Sequence, residues 1–368
     1  MPYSQLDRGK IKMKPLAGRR NKVFIERDFI RPGDIPVNLC ASSREIIAEA
    51  AGRIRKARHE GRPVILAFGA HTIKNGLAPV LVSLVETGWV THLATNGAGI
   101  IHDWEFAFQG ASSEDVRFGV EHGEFGNWEE TGFFINLALN VGAYLGKGYG
   151  EAVGSFIEEE GLELPGAEIL EKEIEKEYSR NPEKCAGACD LLAIIRRFGL
   201  KGGKLAVPHP YKKYSVQAGA FRLKVPFTGH PMFGHDIIYN HPMNNGASIG
   251  RCAERDFLTF AGAVSKLEGG AYLSIGSAVM SPMIFEKSMS MAQNLALQGG
   301  RRIENHYLLI VDLAESHWDW TKGEPPVDNP DYYLRYNKSF SRMGGEMRYL
   351  SADNRDFLLA LYAELSRL

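Results

Sequence analysis

The sequence predicts an α/β protein: a three-layer fold with a parallel sheet between helices and a helical insertion in the middle. Three observations carry this. Short continuous apolar runs stop at polar or glycine-rich turns, as buried parallel strands do. Segments with apolar residues three and four apart separate several of those runs. Glycine makes up 40 of 368 residues, roughly 11% against an ordinary ~7%, and many of these glycines fall at the turns, where backbone must bend tightly or approach a neighbour.

Taken in order, residues 1–35 are basic, contain Pro15 and Pro32, and show no sustained period, so they read as an N-terminal arm. Residues 36–368 read as one α/β domain. Ser42-Ser43 open a helix through Ile46, Ile47, Ala50 and Ile54. Pro63 to Phe68 is a strand, Leu77 to Val85 a helix, and Thr91 to Thr95 the next strand. From about 113 to 200 the text is mostly helical, with helices expected at 132–145, 151–160, 167–178 and 185–198. Strand text returns at 204–208, 223–227, 271–275 and 306–311. Helices at 251–266 and 283–297 separate the later runs, and an amphipathic helix closes the chain from Asn354.

Composition excludes several functions. Lys+Arg number 43 against 44 Asp+Glu, a formal charge of −1, so no basic footprint for nucleic acid is expected. No apolar run approaches the ~20 residues that span a bilayer. The first residues lack a secretory h-region, and four cysteines do not make a disulfide framework in a chain this long. A cytoplasmic, reduced protein is the expectation.

In open parallel sheets, ligands bind beyond the carboxyl ends of the strands, and those ends are polar here. They hold Gly69-Ala70-His71-Thr72, Thr95-Asn96-Gly97-Ala98-Gly99 through His102, Thr228-Gly229-His230 through Gly234-His235-Asp236, Gly276-Ser277, and Asp312. Neither standard glycine-rich phosphate fingerprint occurs. His230, His235, Asp236 and His241 form the densest histidine cluster. It lacks the H-E-x-x-H spacing of a helical zinc site, so substrate contacts are expected there and no metal.

Three stretches resemble the deoxyhypusine synthase family. The first is Val64 through Asp103, with its strand, polar turn, helix, strand and Thr-rich turn. The second runs from Val225-Pro226-Phe227 through Gly234-His235-Asp236 to Leu273–Val279. The third is Asn329-Pro330-Asp331 through Tyr336-Asn337-Lys338, which resembles the family's Pro-Asp segment leading to Trp-Gly-Lys. The resemblance implies a Rossmann-like NAD-binding fold and an aminobutyl-type transferase. NAD oxidises a small amine or polyamine, the aminoalkyl group moves to an enzyme lysine as an imine, and an acceptor amine collects it. Lys338 would be that lysine, Asp236 the anchor for an amine, and Tyr336 the aromatic wall in place of tryptophan. Thr95, Gly97, Gly99, Gly276 and Asp312 fall where the family cradles NAD, with Asn96 and Ser277 in the same turns. The family is tetrameric with sites between subunits, so a homotetramer is implied.

The family pattern is incomplete. Met280-Ser281-Pro282-Met283 holds no histidine where the family has one, Ile101-His102 replaces an acidic pair, and Tyr332 stands where a glutamate precedes the lysine. His71 and His102 are therefore candidate proton carriers, with His230 and His235 beside the substrate and Trp318 in a longer loop lining the site. Two further readings remain: a non-catalytic or regulatory NAD-binding homologue, and deoxyhypusine synthase itself acting on a translation-factor lysine.

Overall fold

The computed structural model describes residues 3–367. Its helices and sheet strands are, in chain order, α1 (Ala41–His59), β1 (Val64–Phe68), α2 (Ala70–Lys74), α3 (Ala78–Glu86), β2 (His92–Asn96), α4 (Gly97–Gln109), α5 (Glu129–Leu145), α6 (Tyr149–Glu158), α7 (Ala167–Glu177), α8 (Pro182–Phe198), α9 (Val216–Leu223), β3 (Phe227–His230), α10 (Gly246–Val264), β4 (Ala271–Ile275), α11 (Met280–Gln298), β5 (Tyr307–Asp312), α12 (Arg335–Ser341), β6 (Glu346–Ser351) and α13 (Asn354–Leu365). Short helical turns and two antiparallel ribbons accompany them.

The six strands form one parallel sheet in the order β6-β5-β4-β1-β2-β3. This is the doubly wound Rossmann-like order, which reverses direction between β1 and β4. Both faces are covered. Val64, Leu66 and Phe68 of β1 enter one apolar core, while Ile65 and Ala67 enter the other. The larger core lies under α1, α3, α4 and α13 and extends into the helical insertion. The smaller lies under α10, α11 and α12. Burial on both faces is why β1, β4 and β5 read as unbroken apolar runs.

Four elements differ from the sequence expectation. The 204–208 run is outside the main sheet: Gly203–Ala206 pairs antiparallel with Gly161–Leu164. The 223–227 run is four residues early, since α9 ends at Leu223 and β3 begins at Phe227. β6, Glu346–Ser351, had no counterpart in the sequence reading; it is a half-exposed edge strand with charged residues. Gly97–Gly99, expected as a turn, opens α4 instead, with the Asn96 side chain accepting from the Gly99 amide at 2.9 Å.

The arm has more structure than its irregular sequence suggests. Asn21–Phe24 pairs with Ala111–Glu114, and Leu16 and Ile25 are buried. Arg19 is buried too, in a bidentate ion pair with Glu105 of α4 at 2.6 Å for both contacts. No helix among the described residues is long and apolar enough to cross a membrane.

Candidate functional site

The sheet reversal places the carboxyl ends of β1 and β4 side by side. Gly69 follows β1 and Gly276 follows β4, and the Gly69 amide donates to Ile275 O at 3.0 Å. A Cβ on Gly69 would lie 2.0 Å from the Gly276 carbonyl oxygen. Only two bare backbones can approach so closely, and Gly276 also holds φ +55°. The two backbones thus touch at the strand-order reversal, which is the place where open parallel sheets bind ligands in a crevice. Gly69→Ala should cost about 1–3 kcal/mol by overpacking and weaken any dinucleotide that binds the crevice; urea denaturation and a nicotinamide-dinucleotide titration read the two effects.

A cavity of about 250 Å³ opens beside the ends of β2 and β3. Its walls include Arg19, Lys74, His102, Glu105, His235 and Asp236. Asp236 follows β3 and is 8% exposed. A Cβ on Gly97 would lie 2.2 Å from its Oδ2, so the carboxyl group packs on the first residue of α4, where no side chain intervenes. Asp236 Oδ2 meets no donor in good hydrogen-bond geometry among the described residues, although the Tyr239 hydroxyl and the Met232 backbone lie near enough to oppose the effect of burial on its charge. Burial pushes the Asp236 carboxyl up to about 7. A buried acid with a perturbed pKa on the wall of a polar cavity marks a candidate functional site.

His102 sits on the second turn of α4. Its Nδ1 meets Ser112 Oγ at 2.7 Å, and burial, with Lys74, Arg19 and His71 nearby, pulls it down to about 4 against the opposing pull of Glu105. Glu105 lies three residues on, so both project from neighbouring positions on one helix face. The Arg19 guanidinium and hydroxyl donors outweigh burial and hold the Glu105 carboxyl below its ordinary range. His235 is exposed at the cavity rim, and His71 is exposed on α2.

The structure therefore brings together His102, Asp236 and His235, with His71 near. Arg19, Lys74, Glu105 and Ser112 join them without having been singled out as site residues. One sequence signal existed: Glu105 is a charged residue in the otherwise apolar Trp104-Glu105-Phe106-Ala107-Phe108 run. Nothing in the sequence links it to Arg19, 86 positions away.

Other expectations need correction. His230 belongs to β3 and faces the opposite core. Its Nε2 bonds Thr228 Oγ1 at 2.9 Å and its ring packs edge-on against Phe260, so it is no cavity contact. Thr95 Oγ1 donates to Phe68 O at 2.9 Å, and Gly99 is small because its Cβ would lie 2.3 Å from that hydroxyl. Thr95, Asn96, Gly97 and Gly99 thus have structural duties of their own. Ser277 Oγ accepts from the Ser281 amide at 3.2 Å, and Asp312 Oδ1 accepts from the Ala314 amide at 3.2 Å.

Lys338 departs furthest. Its Nζ lies 2.8 Å from Glu324 Oε1 and 3.3 Å from the centroid of Tyr332. The Glu324 bond raises its pKa, the reverse of what an attacking neutral amine needs. Lys338 lies on α12, whose Phe340 packs against Tyr272 of β4 and Phe285 of α11, and it is not on the wall of the Asp236 cavity. Tyr336 bonds Tyr349 hydroxyl to hydroxyl at 3.2 Å. The Trp318 indole N–H donates to Gly323 O at 2.9 Å and its ring packs on the smaller core. These residues pack the long loop after β5 and stand apart from the Asp236 cavity.

No family model matches the sequence, and no curated protein matches it. Three solved structures show a distant likeness. The apo structure of ArgZ, a cyanobacterial arginine dihydrolase of the ornithine–ammonia cycle, is 15% identical with a TM-score of 0.43, covering 90% of this chain and 33% of its own. AgrE in complex with ornithine and NAD+ is 14% identical with a TM-score of 0.42, covering 89% of this chain and 34% of its own. A conserved LOR/SDH protein of Methanococcus maripaludis S2 is 13% identical with a TM-score of 0.45, covering 91% of this chain and 73% of its own. The chain thus spans about a third of the length of ArgZ and AgrE.

Proposed function

We propose that this chain is an NAD-dependent enzyme acting on a small amine, with the amine held in the Asp236 cavity. The observation that carries the reading is the buried Asp236 carboxyl group on the cavity wall, whose Oδ2 meets no donor in good hydrogen-bond geometry. A primary ammonium group brings both the positive charge and the N–H donors that this acid lacks. On binding it favours the ionised carboxylate, offsetting the burial that now raises the pKa. NAD, when bound, supplies the hydride acceptor. The chain's own part is to fix the amine at Asp236, seat the dinucleotide over Gly69 and Gly276, and surround the reacting carbon with the His102 wall.

The finer reading is aminoalkyl transfer of the deoxyhypusine or homospermidine synthase kind, supported by the resemblance around Val64–Asp103 and Asn329–Lys338. Because Lys338 is not on the wall of this chain's Asp236 cavity, that reading takes the lysine from a second copy, in keeping with a homotetramer. The pairing of Lys338 with Glu324 favours instead an oxidation that stops short of transfer, or a non-catalytic NAD-binding role.

Incubation with NAD and a panel of diamines and polyamines tests this. Formation of reduced nicotinamide is expected with at least one amine and should disappear in Asp236→Asn. Borohydride trapping then separates the finer readings: transfer puts the adduct mass on the peptide containing Lys338. Bound NAD with no reduced nicotinamide from any amine would leave the non-catalytic reading.

A further inference from the structure

Glu105 receives four hydrogen bonds. Arg19 Nη1 and Nη2 donate at 2.6 Å each, the Thr131 hydroxyl at 2.9 Å and the Ser112 hydroxyl at 2.5 Å. The ion pair is nearly fully enclosed, with side chains 2% and 1% exposed. An ionised carboxylate only accepts, so the single Ser112 proton is committed to Glu105. Ser112 Oγ can then only accept from its other neighbour, His102 Nδ1, at 2.7 Å. Nδ1 must carry a proton. In a neutral imidazole the other nitrogen, Nε2, then bears the lone pair. Nε2 has no hydrogen-bond partner among the described residues, and His102 lines the cavity.

We infer that Arg19, Glu105 and Ser112 lock His102 in its Nδ1–H tautomer, so that Nε2 faces the cavity as a fixed acceptor. The N-terminal arm thereby acts on the site: Arg19 sets the charge of Glu105, Glu105 sets the direction of the Ser112 hydroxyl, and Ser112 sets the ring. Arg19, Glu105 and Ser112 are positioning residues. His102 and Asp236 then offer two acceptors to one ligand, which selects a small molecule carrying N–H donors and rejects one carrying only acceptors. Burial, reinforced by the surrounding Lys74, Arg19 and His71, keeps the ring neutral near pH 7 against Glu105. This deepens the amine reading of the cavity and rests on it only for the ligand class.

The test is nitrogen-15 NMR of the full chain, histidine-labelled and without amine or dinucleotide, so its failure is separate from any failure of the amine reading. His102→Gln identifies the signals by their loss. At pH 7 the expected pattern is a protonated Nδ1 and a bare Nε2. A protonated Nε2, or two exchange-averaged nitrogens, would overturn the lock. In Ser112→Ala the ring should move toward the Nε2–H form or a mixture. An unchanged tautomer in that variant would also overturn it. Should Ser112→Ala not fold, the wild-type pattern alone decides.

Discussion

Arg19→Ala is expected to lose about 3–5 kcal/mol of stability, the usual result of stranding one partner of a buried ion pair. The cause is local. Glu105 is 1% exposed and would be left with only the Ser112 and Thr131 hydroxyls as donors. Either it protonates, at the cost of its ionised state, or the arm opens and water enters. Urea denaturation should show a lower midpoint; a changed slope would mean that the arm itself had detached. Arg20→Ala serves as the control, because exposed Arg20 lies over the Phe118 ring and such contacts are worth roughly 0.5–1 kcal/mol. A loss below about 1 kcal/mol for Arg19→Ala, within the range of a surface pair, would mean that the arm does not hold Glu105 as described.

Asp236→Asn should make the protein more stable, and only at higher pH. The carboxyl rises from an ordinary 3.8 to about 7 on folding. The folded state therefore binds more protons than the unfolded state between those values, and stability falls as pH rises through that window. Below about pH 4 both states are protonated and the variant gains little. Above about pH 8 the full shift is felt, and its size corresponds to up to about 4 kcal/mol. Asp256, also raised by burial to about 7, adds to the pH dependence of both proteins and cancels in their difference. Denaturant midpoints for the pair across that pH range check the sign. A difference that shrinks as pH rises would contradict an acid whose pKa is raised by burial. Loss of amine binding alongside a gain in stability is the pattern expected of a residue retained for function.

Much of the fold was legible because burial leaves a mark on sequence. β1 and β4 are buried at all five positions, so both read as continuous apolar runs. α5 and α8 were placed within three residues at each end because their apolar spacing is strong. β3 was misplaced because its four residues, Phe-Thr-Gly-His, are mostly polar or small at the sheet edge. β6 was hidden by the charges that an edge strand carries. α4 was hidden by its opening glycines, whose cause is the carboxyl group of Asp236 and the hydroxyl of Thr95 pressing on them.

The site was legible where chemistry sits at a strand end. His102, Asp236 and His235 follow β2 and β3, where the strand-end rule looks, and they line one cavity. Arg19 and Ser112 lie on other segments and join the site only by tertiary contact. Lys338 shows the opposite failure. Its spacing from Pro330-Asp331 matches a pattern along the chain, but spacing carries no information about its neighbours in the fold, which are Glu324 and Tyr332.

Calorimetric titration of a short diamine into the NAD-saturated protein near pH 7 tests the central claim most directly, run in buffers of different ionisation enthalpy and repeated on Asp236→Asn. The account predicts saturable binding with proton release, as the ammonium group draws Asp236 into its ionised form, and loss of both in the variant. Saturable binding that is equal in the two proteins, or no binding to either, would contradict it.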